Sequence, residues 1–116
     1  MCSQLGSAAE MTRRRLANRR PAVLVGVEHQ GAVFTVCAGL YSGGQVGEVF
    51  VSGARSGSDL AALVDDGAVL ASIALQYGAP LEVLARAMGR HNNRTPASVL
   101  GCALDRVVEL LDEERG

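Results

Sequence analysis

Three short segments of alternating apolar and polar residues lie in the first half of the chain, at residues 22–28, 32–37 and 45–51. They are rich in β-branched side chains, and a period of two is typical of strands. The breaks at 29–31 and 41–44 are short enough for antiparallel hairpins. The pattern therefore predicts a three-stranded antiparallel meander.

After residue 58 the apolar period changes to that of a helix. A first helix is predicted over residues 59–77, with Ser58 as its N-cap and Gly78 in the left-handed position that ends it. Its predicted core stripe is Leu60, Leu63, Val64, Gly67, Ala71, Ala74 and Leu75. Because more apolar residues lie off this stripe, we expect this helix to be the most buried neighbour of the sheet.

Two shorter helical patterns follow. One covers residues 80–88, with Pro80 near its first position and Gly89 past its end, and the last begins at Thr95 and Pro96. The sequence thus predicts an α+β fold, a three-stranded antiparallel sheet followed by three helices packed on it. We expect a flexible tail at residues 1–12, a single domain at 13–112 and a solvated C-terminus at 113–116.

Composition narrows the class of protein. The length of 116 residues is typical of a single domain. The net charge of −1 does not favour a polyanionic partner such as nucleic acid. The N-terminus has no apolar signal region, and no apolar run approaches the ~20 residues that span a bilayer. Cys2, Cys37 and Cys102 form neither a disulfide framework nor a zinc pattern. We expect a cytoplasmic protein with reduced thiols and no membrane contact.

Candidate catalytic groups are few. His29 is predicted in a hairpin turn and His91 in a polar loop, and neither has an acid or a second ligand at metal spacing. Glu48 lies mid-strand, and the sequence does not decide whether it faces the core or the solvent. Asp65 and Asp66 are adjacent in a helix, so their side chains point about 100° apart. The sequence predicts no catalytic residues and no metal site.

A strand-to-helix loop is the candidate ligand site. Arg55, Ser56, Gly57 and Ser58 precede a helix N-terminus, where free N–H groups and the helix dipole favour anions such as phosphate. The loop lacks the P-loop pattern, and a plain capped turn is the favoured alternative.

A basic arm is the second candidate. Five of the nine residues at 13–21 are arginines, and Arg19 and Arg20 would join the loop only if the arm folds back along the first strand. Aromatic side chains that would stack bases are absent from the arm. We favour pairing of these arginines with carboxylates of this protein or of a partner, so nucleic acid is not the expected partner.

Several blocks carry a family resemblance. They read R-L-A-N-R-R at 15–20, G-L-Y at 39–41, G-Q-V-G-E-V-F-V at 44–51, R-S-G-S at 55–58 and A-S-I-A-L-Q-Y-G-A-P-L-E-V-L at 71–84. From about residue 13 to 111 the chain resembles the TSCPD domain that follows the catalytic barrel of adenosylcobalamin-dependent ribonucleotide reductases. It also resembles short stand-alone bacterial proteins of that family.

The resemblance implies kinship with a reductase but not its chemistry. The barrel with its cobalamin site and catalytic cysteines, the cysteine-rich tail and the Cys-Pro-Asp sequence have no counterpart in this chain. It implies a non-catalytic accessory or regulatory module of deoxyribonucleotide and DNA-precursor metabolism. Such a module would dock on a reductase catalytic subunit or form a homo-oligomer, and adenosylcobalamin would belong to the full-length enzyme alone. The alternatives are a nucleic-acid or nucleotide-phosphate binder using the arm and the loop, and an enzyme with an unrecognised site.

Overall fold

The structure, a computed structural model, describes residues 12–115, with side chains to residue 113. It contains strands β1 (Ala22–His29), β2 (Ala32–Leu40) and β3 (Val46–Ser52), then helices α1 (Asp59–Gln76), α2 (Leu81–Ala87) and α3 (Val99–Arg115). The sheet is antiparallel in the order β1-β2-β3, which confirms the predicted α+β fold. The predicted tail lies, except for Thr12, outside the described residues.

Local geometry sets the strand register. Gln30 and Gly31 both have positive φ angles, 52° and 82°, as the tightest hairpin turn between two strands requires. A register shift at Gly39/Leu40 turns Val46 into the core. The simple alternation predicted Val46 and Phe50 on one face. The shift separates them, and Phe50 lies on the outer face.

Helix α1 packs along β3 and α3 packs on β1 and β2, on the same face of the sheet, while α2 packs on α3. The core lies between them and the inward-pointing strand residues, with Val36, Val49, Leu104 and Val107 at its centre. No helix of the described residues covers the opposite, outer face. Leu24 and Val33 there are 71% and 67% exposed.

The first helix is less enclosed than predicted. Ser58 caps it as expected, its hydroxyl oxygen accepting a hydrogen bond from the N–H of Ala61 at 3.1 Å. The predicted stripe was wrong at its start, because Leu60 and Leu63 are exposed. The helix runs along the edge strand β3, so only one narrow face is covered. The most deeply buried helix is α3.

The third helix begins at Val99 and not at Thr95. Residues 90–96 form a tight turn instead, closed by a hydrogen bond of 2.9 Å from the N–H of His91 to the carbonyl of Thr95. Ser98 then supplies the capping hydroxyl, which accepts a hydrogen bond from the backbone N–H three residues later at 3.0 Å. A better cap two residues after Pro96 therefore decided where the helix starts.

Candidate functional site

The basic arm, residues 13–21, is anchored to the sheet by one buried carboxylate. Arg20 Nε donates to Glu48 Oε2 at 2.6 Å, and Arg20 Nη2 donates to Glu48 Oε1 at 3.1 Å. Glu48 is only 9% exposed, and its hydrogen bonds raise the pKa of Arg20 above its ordinary value. This two-pronged contact fixes both position and orientation. For Arg20, the predicted pairing with a carboxylate of this protein is confirmed.

A glycine makes room for that carboxylate. Gly39 lies opposite Glu48 in the β2–β3 register, and a Cβ atom at Gly39 would overlap the carboxyl group. The outer-face carboxylate can therefore lie flat across the neighbouring strand, where Arg20 covers it. The sequence did not decide which face of the sheet Glu48 lies on. In the structure its side chain lies on the outer face and is buried there.

A second anchor joins the arm to the β2–β3 turn. The Tyr41 hydroxyl donates to the carbonyl of Arg14, and the Arg14 guanidinium carbon lies 3.9 Å from the centre of the Tyr41 ring. Such a cation–π contact adds about 0.5–1 kcal/mol at a partly exposed site. A Cβ atom at Gly47 would lie 2.6 Å from the same ring, so the second glycine also serves this packing.

Two polar side chains of α1 bind the outer edge of β3. Ser72 Oγ accepts from the N–H of Val49 at 2.9 Å and donates to its carbonyl at 3.2 Å. Gln76 Nε2 donates to the carbonyl of Gly47 at 2.9 Å, and Gln76 Oε1 accepts from Arg13. Both side chains are buried. They replace the neighbouring strand that an edge strand lacks.

The arm leaves a basic cleft on the surface. Arg14, Arg15, Arg19 and Arg20 line this arginine cleft of about 260 Å³, together with Tyr41. Within residues 12–113, neither Arg15 nor Arg19 has a carboxylate at salt-bridge distance. The cleft is therefore positively charged and has the chemistry to hold an anion.

The predicted ligand residues lie in two separate places. Arg55, Ser56, Gly57 and Ser58 stand together at the start of α1, where Gly57 has a φ angle of +78°. This loop follows the last residue of β3, whereas Glu48, which holds Arg20, is near its first residue. Four strand residues span about 13 Å.

The loop and the arm arginines therefore form no single site in this structure. The arm does not fold back along β1, because Glu48 holds Arg20 at the opposite end of the sheet. Ser56 and Gly57 line a shallow cleft of about 240 Å³, and the Ser58 hydroxyl also donates to the Arg55 carbonyl at 2.6 Å. Ligand binding by the loop stays a prediction.

A histidine–cysteine contact was not foreseen from the sequence. His29 ends β1 and is half-buried, with its Nδ1 3.2 Å from Cys102 Sγ on α3. Burial, and then the charge of Asp105, raise the pKa of the Cys102 thiol. The thiolate is the reactive form of cysteine, so a raised pKa lowers the share of this thiol that is reactive. The two residues are 73 positions apart, and nothing in their local patterns connects them.

Side chains that ligate metal ions are scattered over the described residues. In that part of the chain, no three His, Cys, Asp or Glu residues are placed to hold a metal ion. No helix in the same part is long and apolar enough to cross a membrane.

Comparison with known proteins identifies the family. The sequence profile of the TSCPD domain matches residues 8–113, so the chain belongs to the TSCPD domain family. No solved structure matches the chain.

The similar curated proteins are much longer than this chain. It is 38% identical over 72 residues to a vitamin B12-dependent ribonucleotide reductase of Rhodopirellula baltica, a match covering 62% of this chain and 7% of that protein. Reductases of the same name from Streptantibioticus cattleyicolor and Streptomyces coelicolor are 37% identical over 70 residues. Those matches cover 60% of this chain, and 12% and 7% of the two reductases. The chain therefore corresponds to a small part of each relative.

One apolar cleft of the described residues can be compared in size with adenosylcobalamin. It holds about 530 Å³ and is lined mainly by apolar side chains such as Phe34, Leu60 and Leu63. That volume suits a drug-sized ligand, whereas a corrin ring with its nucleotide loop is far larger. The expectation that this chain binds no cofactor stays a prediction.

Proposed function

We propose that this chain is a non-catalytic accessory module of ribonucleotide reduction, which acts by docking on the catalytic chain of a ribonucleotide reductase. Its kinship with such enzymes is limited to a short segment of their length. A segment of that kind contributes through contact with the remainder of the enzyme, in cis or as a separate chain.

The observation that carries this proposal is that the sequence blocks which resemble the TSCPD family serve to hold the fold together. Residues from these blocks contact one another: Arg20 binds Glu48 over Gly39, Tyr41 packs on Gly47, and Ser72 and Gln76 hold the edge of β3. These contacts build a rigid scaffold. A catalytic site would instead direct a nucleophile, a base and an anion stabiliser into one cleft.

The outer face of the sheet is the surface we assign to docking. Leu24, Cys37 and Phe50 lie side by side across the three strands, and Val33 lies farther along β2. Leu24 is 71% exposed and Phe50 is 49% exposed. Contiguous exposed apolar residues of this kind mark sites of protein contact.

Direct titration tests the docking proposal. Fluorescently labelled chain is titrated with the purified Streptomyces coelicolor reductase from which the segment that matches this chain has been deleted, so that the docking surface is free. The variant Leu24→Asp should weaken binding at least tenfold, or about 1.4 kcal/mol, because it places a charge in the apolar contact. Leu70→Asp is the matched control, since Leu70 on α1 is 70% exposed, and its affinity should not change. No binding at about 0.1 mM, or equal effects of the two variants, would refute the assignment.

The arginine cleft supports a second candidate function, the binding of a nucleotide phosphate or of nucleic acid. Arg15 and Arg19 face this cleft without a carboxylate partner in residues 12–113. Binding of nucleoside diphosphates or single-stranded DNA should then fall steeply with salt. Arg19→Glu should weaken it and Arg86→Glu, an equal charge change on α2, should not. Equal affinity for all three proteins would exclude the cleft as the site.

A further inference from the structure

The two edges of the sheet differ in whether their outward backbone groups have hydrogen-bond partners. The outer edge of β3 is occupied, because Ser72 and Gln76 satisfy backbone groups of Val49 and Gly47. No comparable contact within residues 12–115 reaches the outward backbone groups of β1. One edge is thus covered and the other presents unused donors and acceptors.

The hairpin geometry identifies these outward groups. A two-residue turn makes His29 and Ala32 a hydrogen-bonded pair, and bonded pairs then alternate along an antiparallel ladder. Val23, Val25 and Val27 therefore point their backbone groups toward β2. Ala22, Leu24, Gly26 and Glu28 point theirs away from the sheet.

The β1 edge also lacks the features that protect exposed edges. It is eight residues long, its pairing with β2 has no bulge, and its sequence A-V-L-V-G-V-E-H contains no proline, lysine or arginine. Soluble proteins block pairing at exposed edges with such residues. An unprotected edge of this length is suited to accept another strand.

We propose that this edge pairs with β1 of a second copy of the chain, antiparallel about a two-fold axis at Val25, to give a continuous six-stranded sheet. Residues opposite each other must share a face, so their numbers must sum to an even value. Only when the numbers of opposite residues add up to 50 does every one of the four outward residues of β1 lie opposite another outward residue of the second copy. This register places Leu24 opposite Gly26 of the second copy, and Glu28 opposite Ala22 of the second copy.

Gly26 supports this register. Its φ angle is not in the left-handed region, and a Cβ atom there would meet only the Phe34 carbonyl oxygen, at 3.9 Å. Nothing within the single chain therefore requires glycine in the middle of this strand, where glycine weakens pairing. In the dimer, this position leaves room for the exposed Leu24 of the second copy.

Charge favours a second copy as the occupant. The start of β1 follows Arg19, which has no carboxylate at salt-bridge distance within residues 12–113, and its end carries Glu28. Antiparallel pairing brings the basic start of each strand to the acidic end of the other. The net charge of −1 on each chain opposes association only weakly. A self-complementary patch is what a two-fold interface needs.

Sedimentation velocity across the micromolar range tests the dimer. The wild-type chain should shift from monomer to dimer as its concentration rises. Glu28→Lys should raise the dissociation constant at least tenfold, since like charges then meet, whereas Glu82→Lys on α2 should not. Gly26→Pro, which removes an outward N–H, should give monomer. Gly26→Ala keeps that N–H but narrows the room for Leu24 of the second copy, so it should weaken the dimer less than Gly26→Pro does. If Gly26→Pro fails to fold, the lysine pair decides.

Cross-linking tests the register. In a chain whose own cysteines are replaced by serine, Val25→Cys lies opposite itself across the axis, within disulfide reach. Val27→Cys lies opposite Val23 of the second copy and should not cross-link. Mild oxidation should therefore give a covalent dimer of the first variant only. A monomer at all concentrations, a dimer indifferent to Glu28→Lys, or equal cross-linking of both variants would overturn the proposal.

Discussion

Replacing Ser72 by alanine should destabilise the protein more than its small change in volume implies. The Ser72 hydroxyl serves both backbone groups of Val49, the N–H at 2.9 Å and the carbonyl at 3.2 Å. Ser72 is buried, so water has little access to take its place. The Ser72→Ala variant leaves a donor and an acceptor of the edge strand unpaired.

The expected loss follows from the energy of buried unpaired groups. Leaving such a group unsatisfied costs about 1–3 kcal/mol, so we expect a loss of about 2 kcal/mol in the free energy of unfolding. At about 2.1 cal/mol/K per residue, a chain of 116 residues has an unfolding entropy near 0.24 kcal/mol/K. The melting temperature should therefore fall by about 8 °C.

Chemical denaturation and calorimetry measure this loss. Ser52→Ala is the matched control, since Ser52 ends the same strand and is exposed. That substitution should change the free energy of unfolding by no more than about 0.5 kcal/mol. If Ser72→Ala proves as mild as Ser52→Ala, the hydroxyl does not hold α1 to the sheet.

Three further predictions concern the core, a thiol and the loop. Ala71→Leu should destabilise by about 1–3 kcal/mol through overpacking of a buried site, and exposed Ala62→Leu should not; equal melting temperatures would contradict the packing. With the other cysteines replaced by serine, Cys102 should be alkylated more slowly than a free thiol at pH 7, because burial raises its pKa. The folded state then holds this proton more firmly than the unfolded state. The stability that results is present below the ordinary thiol pKa and is lost as pH rises through the raised pKa. Alkylation of Cys102 as fast as that of a free thiol at pH 7 would contradict a raised pKa. If the loop binds phosphate, Arg55→Glu should weaken nucleotide binding about tenfold in calorimetry and Arg86→Glu should not, and equal heats would leave a plain helix cap.

Local signals predicted the architecture well. Alternation gave the three strands, and the positive φ angles of Gln30 and Gly31 agree with the predicted hairpin break. Ser58 begins the first helix and Gly78 follows its end, where the capping rules placed them. These features depend on neighbours within a few residues, which a sequence pattern contains directly.

The features that were not predicted depend on contacts between residues far apart in the sequence. The bond between Arg20 and Glu48 joins positions 28 apart, and that between His29 and Cys102 joins positions 73 apart. A helical period locates an apolar stripe but cannot tell how much of it neighbours will cover, as Leu63 shows. A glycine placed opposite a strand carboxylate, such as Gly39, was the one local sign that Glu48 would lie across the sheet.

The central claim, that this chain assists a reductase without catalysing the reaction, is tested most directly by an assay of deoxyribonucleotide formation. Ribonucleotide, adenosylcobalamin and a thiol reductant are supplied to the purified chain, to the Streptomyces coelicolor reductase, and to both together. We predict no product from the chain alone, and a rate for the mixture that differs from the rate of the reductase alone. Sustained product formation by the chain alone would contradict the account.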